Sequence, residues 1–330
     1  MKRISTSLAA AAIGGIAMPI GQAPAQAPDL PTQIVDAQHA LAGKGKTRVG
    51  GAKGQCFVGT FEPTADARKL SKSAIFAKPS RVLARFSVGG GNPKVADGSR
   101  GGNRGFAFRI DAGGKGQTEF VMINAPVNFV KSPEQMLGFL QARLPGADGK
   151  PDAEKIKAFT EANPETTAQG KWLASKPIPG SWVGVTYWGV HGYTLTSAAN
   201  KTQVVKFKMV PKAGQVALTD DEAKAKPADF LADELAGRVT AKGETAFDMV
   251  AVLAKPGDAT NDATKLWADE EARPTVRLAT LRITGVEKNE VCDATYFDPT
   301  KLAAGISGPK DDPLFAIRQP AYATALEKRQ

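Results

Sequence analysis

Short segments with strand character, separated by loops rich in glycine and proline, most limit how this 330-residue chain can fold. Alternation of apolar residues predicts strands at 55–61, 80–88, 105–110, 119–129, 182–196, 202–210, 245–253 and 275–286. Many short strands at short intervals favour an antiparallel β-barrel over a parallel sheet.

Helical patterns lie between and after these strands. Pro133 follows Ser132, a good helix cap, so a helix should begin there and run to about residue 144. Further helices are predicted at 31–42, 65–72, 152–163, in the region 221–236 and in the tail 299–330. The predicted fold class is therefore α+β, an antiparallel β-barrel wrapped by helices.

The first 27 residues have the composition of an export signal. Lys2 and Arg3 precede an apolar, alanine-rich run, and Ala25-Gln26-Ala27 offers small residues for cleavage. The run is interrupted by glycine and proline and is short for a membrane span. We therefore expect a signal peptide at 1–27, one domain at 28–330 and delivery to a periplasmic compartment.

Composition argues against several classes of function. The net charge is +10, but lysines and arginines are scattered among acids without interleaved aromatics, which argues against a nucleic-acid partner. No segment after the signal is long and apolar enough to span a membrane. Phosphate-binding loops and nucleophile elbows are absent, and two histidines, His39 and His191, are too few for sites that need several imidazoles.

Two cysteines, Cys56 and Cys292, lie far apart in the sequence. A disulfide between them and two buried thiols are both compatible with an exported protein. The chain has no CxxC motif and no Cys/His cluster, which argues against a zinc site or an attached c-type haem.

Isolated arginines stand near the beginnings of predicted strands, at Arg48, Arg85 and Arg104. A buried arginine needs an anionic partner, which haem propionates or a structural carboxylate would supply. In the tail, Arg318 and Tyr322 are four residues apart and share one helix face. A guanidinium beside a phenol favours the phenolate, which can ligate haem iron, although these residues alone favour a surface arginine and a half-buried tyrosine that cap the last helix.

Taken together, these motifs resemble the catalases in family order. The segment 48–64 is similar to their distal strand, and Ala84-Arg85-Phe86-Ser87, Asn103-Arg104-Gly105-Phe106-Ala107 and the segment 120–129 follow. The resemblance is greatest to the small, exported catalase-related peroxidases, through the segments 187–191, 256–258, 297–300, 311–314 and 318–322. It extends from about Val35 to Arg329.

The resemblance implies a haem b protein that reduces H2O2 or an organic peroxide, with the haem between the barrel and the C-terminal helix. It implies Tyr322 as the axial ligand of the haem iron and Arg318 as the residue that stabilises the tyrosinate. By the same resemblance, the propionates are bound by Arg48 and Arg85, Phe129 lies beside the haem, and Ser87 lies behind the distal histidine.

The chain departs from the family on the distal side, the side of the haem away from the axial ligand. Gly51 stands where the family has its distal histidine, and neither histidine of the chain is placed to replace it. Ile123 falls where large catalases have an asparagine, and Asn124, one position later, should face the other way along a strand. Asn124 and Ser87 remain as the candidate catalytic residues.

A distal base contributes roughly 10²–10⁴-fold to proton transfer, so we expect haem binding to survive better than peroxide turnover. The expected function is an impaired haem peroxidase with an unidentified reductant. The alternatives are a haem protein that binds or senses another ligand at Gly51, a haem enzyme with altered hydroperoxide chemistry, and a haem-free barrel that binds another anion. The presence of both Tyr322 and Arg318 argues against the last.

Overall fold

The computed structural model describes residues 28–43, 47–114 and 116–330, so the expected signal at 1–27 lies outside the described residues. The strands are β1 (Lys53–Pro63), β2 (Ser80–Val88), β3 (Arg104–Asp111), β4 (Gln117–Ile123), β5 (Ile178–Pro179), β6 (Tyr187–Trp188), β7 (Tyr193–Thr196), β8 (Thr202–Pro211), β9 (Ala217–Leu218), β10 (Ala246–Leu253), β11 (Thr275–Val286) and β12 (Ile306–Ser307). The α-helices are α1 (Leu30–Ala42), α2 (Ala65–Leu70), α3 (Pro133–Gln141), α4 (Ala153–Ala162), α5 (Ala168–Ala174), α6 (Asp220–Ala225), α7 (Phe230–Thr240), α8 (Asn289–Asp293), α9 (Pro313–Ala316) and α10 (Arg318–Glu327).

Within the described residues, eight strands close into an antiparallel barrel. Their order is β10-β11-β1-β2-β3-β4-β6-β8, and β8 pairs back onto β10, from Pro211 opposite Phe247 to Val205 opposite Leu253. Closure satisfies the backbone hydrogen-bonding groups that an open sheet leaves at its edges. The predicted α+β fold, an antiparallel barrel with helices around it, is confirmed.

Aromatic rings fill the interior of the barrel. The rings of Phe57 and Phe86 stack with their centroids 4.6 Å apart, and Phe106 lies 4.7 Å from Phe86. These rings are fully buried, together with those of Phe108, Phe120 and Phe247. The interior is therefore a packed core, which leaves the outer face of the barrel wall for a site.

Three helices, α1, α3 and α10, pack together over one part of that outer face. Side-chain caps begin two of these helices. Asp29 accepts a hydrogen bond from the N–H of Thr32 at the start of α1, and Ser132 accepts one from the N–H of Gln135 at the start of α3. Pro133 occupies the first turn of α3, as predicted. In the described part of the chain, no helix is both long and apolar enough to cross a membrane.

Three predicted segments differ from the structure. The strand predicted at 119–129 ends at Ile123, because the following residues turn towards Pro126, which cannot donate to a sheet ladder. The strand predicted at 182–196 is divided into a short 3₁₀ turn, β6 and β7. The tail is helical only in α9 and α10, and α5 and α8 were not predicted.

A disulfide joins Cys56 on β1 to Cys292 on α8, with Cα atoms 5.8 Å apart. Both cysteines are fully buried and pack against Phe297. The structure thus selects one of the two alternatives that the sequence left open. The bond also ties together residues 236 positions apart, which restricts the unfolded chain.

Replacing both cysteines with alanine should therefore lower the free energy of unfolding by about 2–5 kcal/mol. Urea unfolding of the wild-type protein and of Cys56→Ala/Cys292→Ala measures this difference. Equal midpoints and slopes for the two proteins would contradict the stabilising role of the bond.

Candidate functional site

A cavity of about 350 Å³ lies between the outer face of the barrel and the helices α1, α3 and α10. Strands β2 to β4 and the segment before β1 form one wall, and α10 contributes to the opposite one. The predicted site residues that line the cavity are Arg48, Gly51, Arg85, Ser87, Phe129, Arg318 and Tyr322. The fold therefore brings together residues from both ends of the chain.

Tyr322 and Arg318 share one face of α10, as their spacing predicts. Arg318 donates two hydrogen bonds to the phenolic oxygen of Tyr322, from Nη2 at 2.6 Å and from Nε at 3.2 Å. Two cationic N–H donors on one oxygen stabilise a negative charge there. Burial lowers the pKa of Arg318, but the nearby oxygens of Tyr322 and Tyr193 outweigh it and raise that pKa above its usual value.

A buried hydrogen-bond chain holds Arg318 from behind. Its Nη1 lies 2.9 Å from His191 Nε2, and His191 Nδ1 lies 2.6 Å from Asp312 Oδ2. Because arginine can only donate, Nε2 accepts and Nδ1 carries the hydrogen that is donated to Asp312. The second oxygen of Asp312 accepts the N–H groups of Leu314 and Phe315 at the start of α9.

This chain of hydrogen bonds requires a neutral imidazole at His191. Burial lowers the pKa of His191, and Asp312 opposes that effect only in part. His191 is thus a buried positioning residue for Arg318.

The free energy of unfolding should fall as the pH drops below about 6.5, the usual pKa of histidine. The reason is that His191 binds a proton readily in the unfolded chain and resists it in the folded one. Its contribution is therefore complete above the unfolded pKa and is lost as the pH falls from there through the lower folded pKa.

Urea unfolding at several pH values between about 5 and 8 tests this dependence. His191→Gln should remove the part of the pH dependence of the unfolding free energy that is due to His191, whereas the matched variant His39→Gln should keep it. The same pH dependence in wild type and His191→Gln would contradict the assignment.

At one end of the cavity, Arg48, Arg85 and Arg329 surround one carboxylate, that of Asp293; we call this group the arginine cluster. Arg48 Nε lies 2.9 Å from Asp293 Oδ1, and Arg85 Nε lies 3.9 Å from the same oxygen. Arg329 Nη2 donates to the main-chain oxygen of Asp293 at 3.1 Å. Three cations and one anion leave a net charge of +2. Burial first, and then the charge of Arg48, lowers the pKa of both Arg85 and Arg329 to about 10.

The arginine cluster also has donors without acceptors. The Nε atoms of Arg85 and Arg329 are buried and have no hydrogen-bond partner. Unsatisfied buried donors and unbalanced buried charge both destabilise a structure. A ligand with two carboxylates would supply acceptors and balance the charge, so these residues fit the two propionates of a haem.

Gly54 lets the Arg85 side chain cross β1 to reach this position. A Cβ atom at residue 54 would lie 2.1 Å from the main-chain oxygen of Phe86 and 2.8 Å from Arg85 Cζ. The guanidinium instead donates from Nη1 to Gly51 O at 2.7 Å and from Nη2 to Ala52 O at 3.1 Å. Glycine is therefore required at residue 54, because the β2 backbone and the Arg85 side chain come too close for a side chain there.

Residue 51, at which the resemblance led us to expect the distal histidine, is a glycine and offers the cavity no side chain. Gly51 has a φ of +66°, and a Cβ atom there would lie 2.8 Å from Ser87 Oγ. Ser87 thus occupies the space that a side chain at residue 51 would need. Neither His39 nor His191 lines the cavity.

Asn124 lies away from the cavity. Its Oδ1 accepts a hydrogen bond from the main-chain N–H of Arg104 at 2.7 Å, and Ile123 lines the cavity instead. Its position does not support a catalytic role, because alternation along β4 turns its side chain to the other face. Arg104 is also outside the cavity and donates to the main-chain oxygens of Asp97 and Asn103.

Three residues of the site were not singled out from the sequence. Arg329 lies just beyond α10, seven residues after Tyr322, a spacing that returns to the same helix face and would have been a usable signal. Asn103 lines the cavity with a buried Oδ1 that has no partner. Asn103 was quoted only as the first residue of a family-like motif, and Asp293 had no sequence signal, because its neighbours come from distant segments.

These features define a barrel protein with a tyrosine–arginine pair and a cationic cluster facing one cavity. The family model described as catalase matches residues 36–330. The chain therefore belongs to the catalase family.

Two relatives are similar over most of their length. The catalase-related peroxidase of Synechococcus elongatus is 36% identical over 279 residues, which cover 84% of this chain and 81% of the relative. The catalase-related peroxidase of Mycolicibacterium paratuberculosis is 30% identical over 304 residues, which cover 91% of this chain and 94% of the relative.

A solved structure, catalase A from Saccharomyces cerevisiae, shares the fold with a TM-score of 0.73. The alignment covers 86% of this chain and 61% of the yeast chain at 22% identity. This protein thus spans less than two thirds of the yeast chain, and the likeness concerns the fold alone.

Proposed function

We propose that this protein is an exported haem b protein of the peroxidase type, acting on H2O2 or organic peroxides with impaired turnover. The observation that carries the proposal is one cavity in which Arg318 supports the Tyr322 oxygen and the arginine cluster offers unsatisfied donors. Similarity to two catalase-related peroxidases supports the reaction class.

The residues of the cavity divide into holding groups and walls. Tyr322 would provide the oxygen that binds the haem iron, with its negative charge stabilised by Arg318. Bound there, haem supplies an iron centre at which a peroxide is reduced. The propionates would be bound by Arg48, Arg85 and Arg329, and the apolar walls are formed by Ile123 and Phe129.

Proton transfer is the deficient part of the site. Among the described residues, no histidine, aspartate or glutamate lines the cavity. Ser87, Asn103 and Asn128 line it, but a hydroxyl or an amide is not a base near neutral pH. Water or the substrate itself would have to carry the proton, which is why we propose weak turnover.

A non-catalytic haem protein that binds another ligand is the second candidate. Gly50, Gly51, Gly89 and Gly90 leave part of the cavity wall without side chains. The unpartnered Oδ1 of Asn103 would accept a hydrogen bond from such a ligand. The same space also suits a hydroperoxide that rearranges with its own proton.

Export belongs to the same proposal. The composition of residues 1–27 supports it, and so does the disulfide, because disulfides persist in oxidising compartments. Fractionation of cells that express the full chain should recover mature protein beginning near Pro28 in the periplasm.

The ligand assignment predicts a spectral change in Tyr322→Phe. Wild-type protein loaded with ferric haem should show the spectrum of a tyrosinate-ligated iron, and Tyr322→Phe should lose it because only the oxygen is removed. Tyr296→Phe is the matched control, since Tyr296 also lines the cavity, with its ring 6.4 Å from that of Tyr322. An unchanged spectrum in Tyr322→Phe would refute the assignment.

The missing base predicts a gain of activity, once space is made for it. Histidine at residue 51 would meet Ser87, so the replacement should be made in a Ser87→Gly background. Gly51→His/Ser87→Gly should turn over peroxide at least about tenfold faster per haem than Ser87→Gly alone, because a positioned base contributes that much or more.

Gly51→Ala/Ser87→Gly is the control for shape and should show no such gain. If the histidine variant binds haem and is no faster than this control, the missing base is not the limiting defect.

A further inference from the structure

The disulfide lies next to the arginine cluster. Cys292 immediately precedes Asp293, and its main-chain oxygen accepts a hydrogen bond from Arg48 Nη2 at 2.5 Å. Cys56 stands directly opposite Arg85 in the register of β1 and β2, so both side chains point to the same face of the sheet. One covalent bond thus links the strand beside Arg85 to the helix that carries Asp293.

We propose that the Cys56–Cys292 disulfide is a positioning element of the propionate site. It fixes the Cys292 carbonyl and the Asp293 carboxylate against the arginines, and so sets how tightly the cavity retains a ligand with two carboxylates. This inference rests on the proposed haem function.

Besides the disulfide and the arginines of the cluster, few contacts hold α8 in place. The helix has five residues and no side-chain hydrogen bond at its N-terminus, and Cys292 is its one buried residue. Val291 is 43% exposed, and the Asp293 side chain is 48% exposed. Apart from the disulfide, β1 holds α8 through the main-chain N–H of Cys56, which donates to Asn289 Oδ1 at 2.8 Å.

The segment that begins with Cys292 provides the acceptors for two of the three arginines. Arg48 donates to the main-chain oxygens of Cys292 and Thr295, and Arg329 donates to those of Asp293 and Thr295. If this segment moves, both guanidiniums lose acceptors and the net repulsion of the cluster is less restrained. The effect should fall on the carboxylates of the ligand.

The disulfide also packs against residues that line the cavity. The two cysteines pack with Phe297 and with the side chains of Ala107 and Val121, and these three residues line the cavity. Since both cysteines are fully buried, a reductant cannot reach them in the folded protein. The bond therefore acts by position and not by thiol exchange.

Haem release tests the inference. Wild-type protein and Cys56→Ala/Cys292→Ala are loaded with ferric protoporphyrin IX or with its dimethyl ester, and transfer to excess apomyoglobin is timed. The double variant should lose haem on the order of tenfold faster than wild type, the effect of weakening one hydrogen bond to a charged group. Release of the dimethyl ester, which has no free carboxylates, should be nearly the same in both proteins.

A variant of lower stability serves as the control. Phe61 lies at the other end of β1, and its ring centroid is 6.2 Å from that of Phe76. Phe61→Ala should therefore destabilise the barrel without changing a residue of the arginine cluster. It should release haem at nearly the wild-type rate. Equal acceleration for haem and ester in the double variant, or an equal acceleration in Phe61→Ala, would overturn the positioning role.

The haem-free proteins give a second measurement. Hydrogen exchange at residues 289–296 should be faster in the double variant than in Phe61→Ala, and equal exchange would also overturn the inference. A wild type that binds no haem defeats the proposed function and this inference with it. A wild type that binds haem, with a double variant that retains it equally well, defeats the inference alone.

Discussion

The contact between the Arg318 guanidinium and the Tyr322 oxygen is the interaction on which the site depends. It is fixed by His191, which follows β6, and by Asp312, which caps α9. The hydrogen-bond chain therefore exists only when the barrel, α9 and α10 have all assembled. Since His191 and Asp312 are both buried, the geometry at Tyr322 is set by the core of the protein and not by α10 alone.

The cavity has residues suited to bind a ligand but lacks a residue suited to transfer a proton. The charge of the arginine cluster and the two hydrogen bonds from Arg318 agree with a dicarboxylate ligand and with an anionic oxygen at Tyr322. On the side of the barrel, Gly51 supplies no functional group and Ser87 fills the adjacent space. Under the proposed function, the site would hold a haem and would lack the base that peroxide chemistry uses. In this account binding and turnover are separable because they depend on different residues.

Sequence patterns predicted the features that depend on residues close together in the chain. The alternation at 80–88 gave β2 with its bounds, the i,i+4 spacing placed Arg318 beside Tyr322, and strand geometry turned Asn124 away. Sequence did not predict α8, because a five-residue helix held by a disulfide has no periodicity to detect. The arginine cluster was predicted in part: Arg48 and Arg85 were expected to bind propionates, whereas Asp293 joins them only through tertiary packing.

Peroxide turnover per bound haem in the wild-type protein tests the account most directly, beside the Synechococcus elongatus relative under the same conditions. The account predicts stoichiometric haem binding with turnover lower by roughly 10²-fold or more, the contribution of a positioned base. Wild-type turnover equal to that of the relative would contradict it, because some other group would then be supplying the proton transfer that Gly51 cannot.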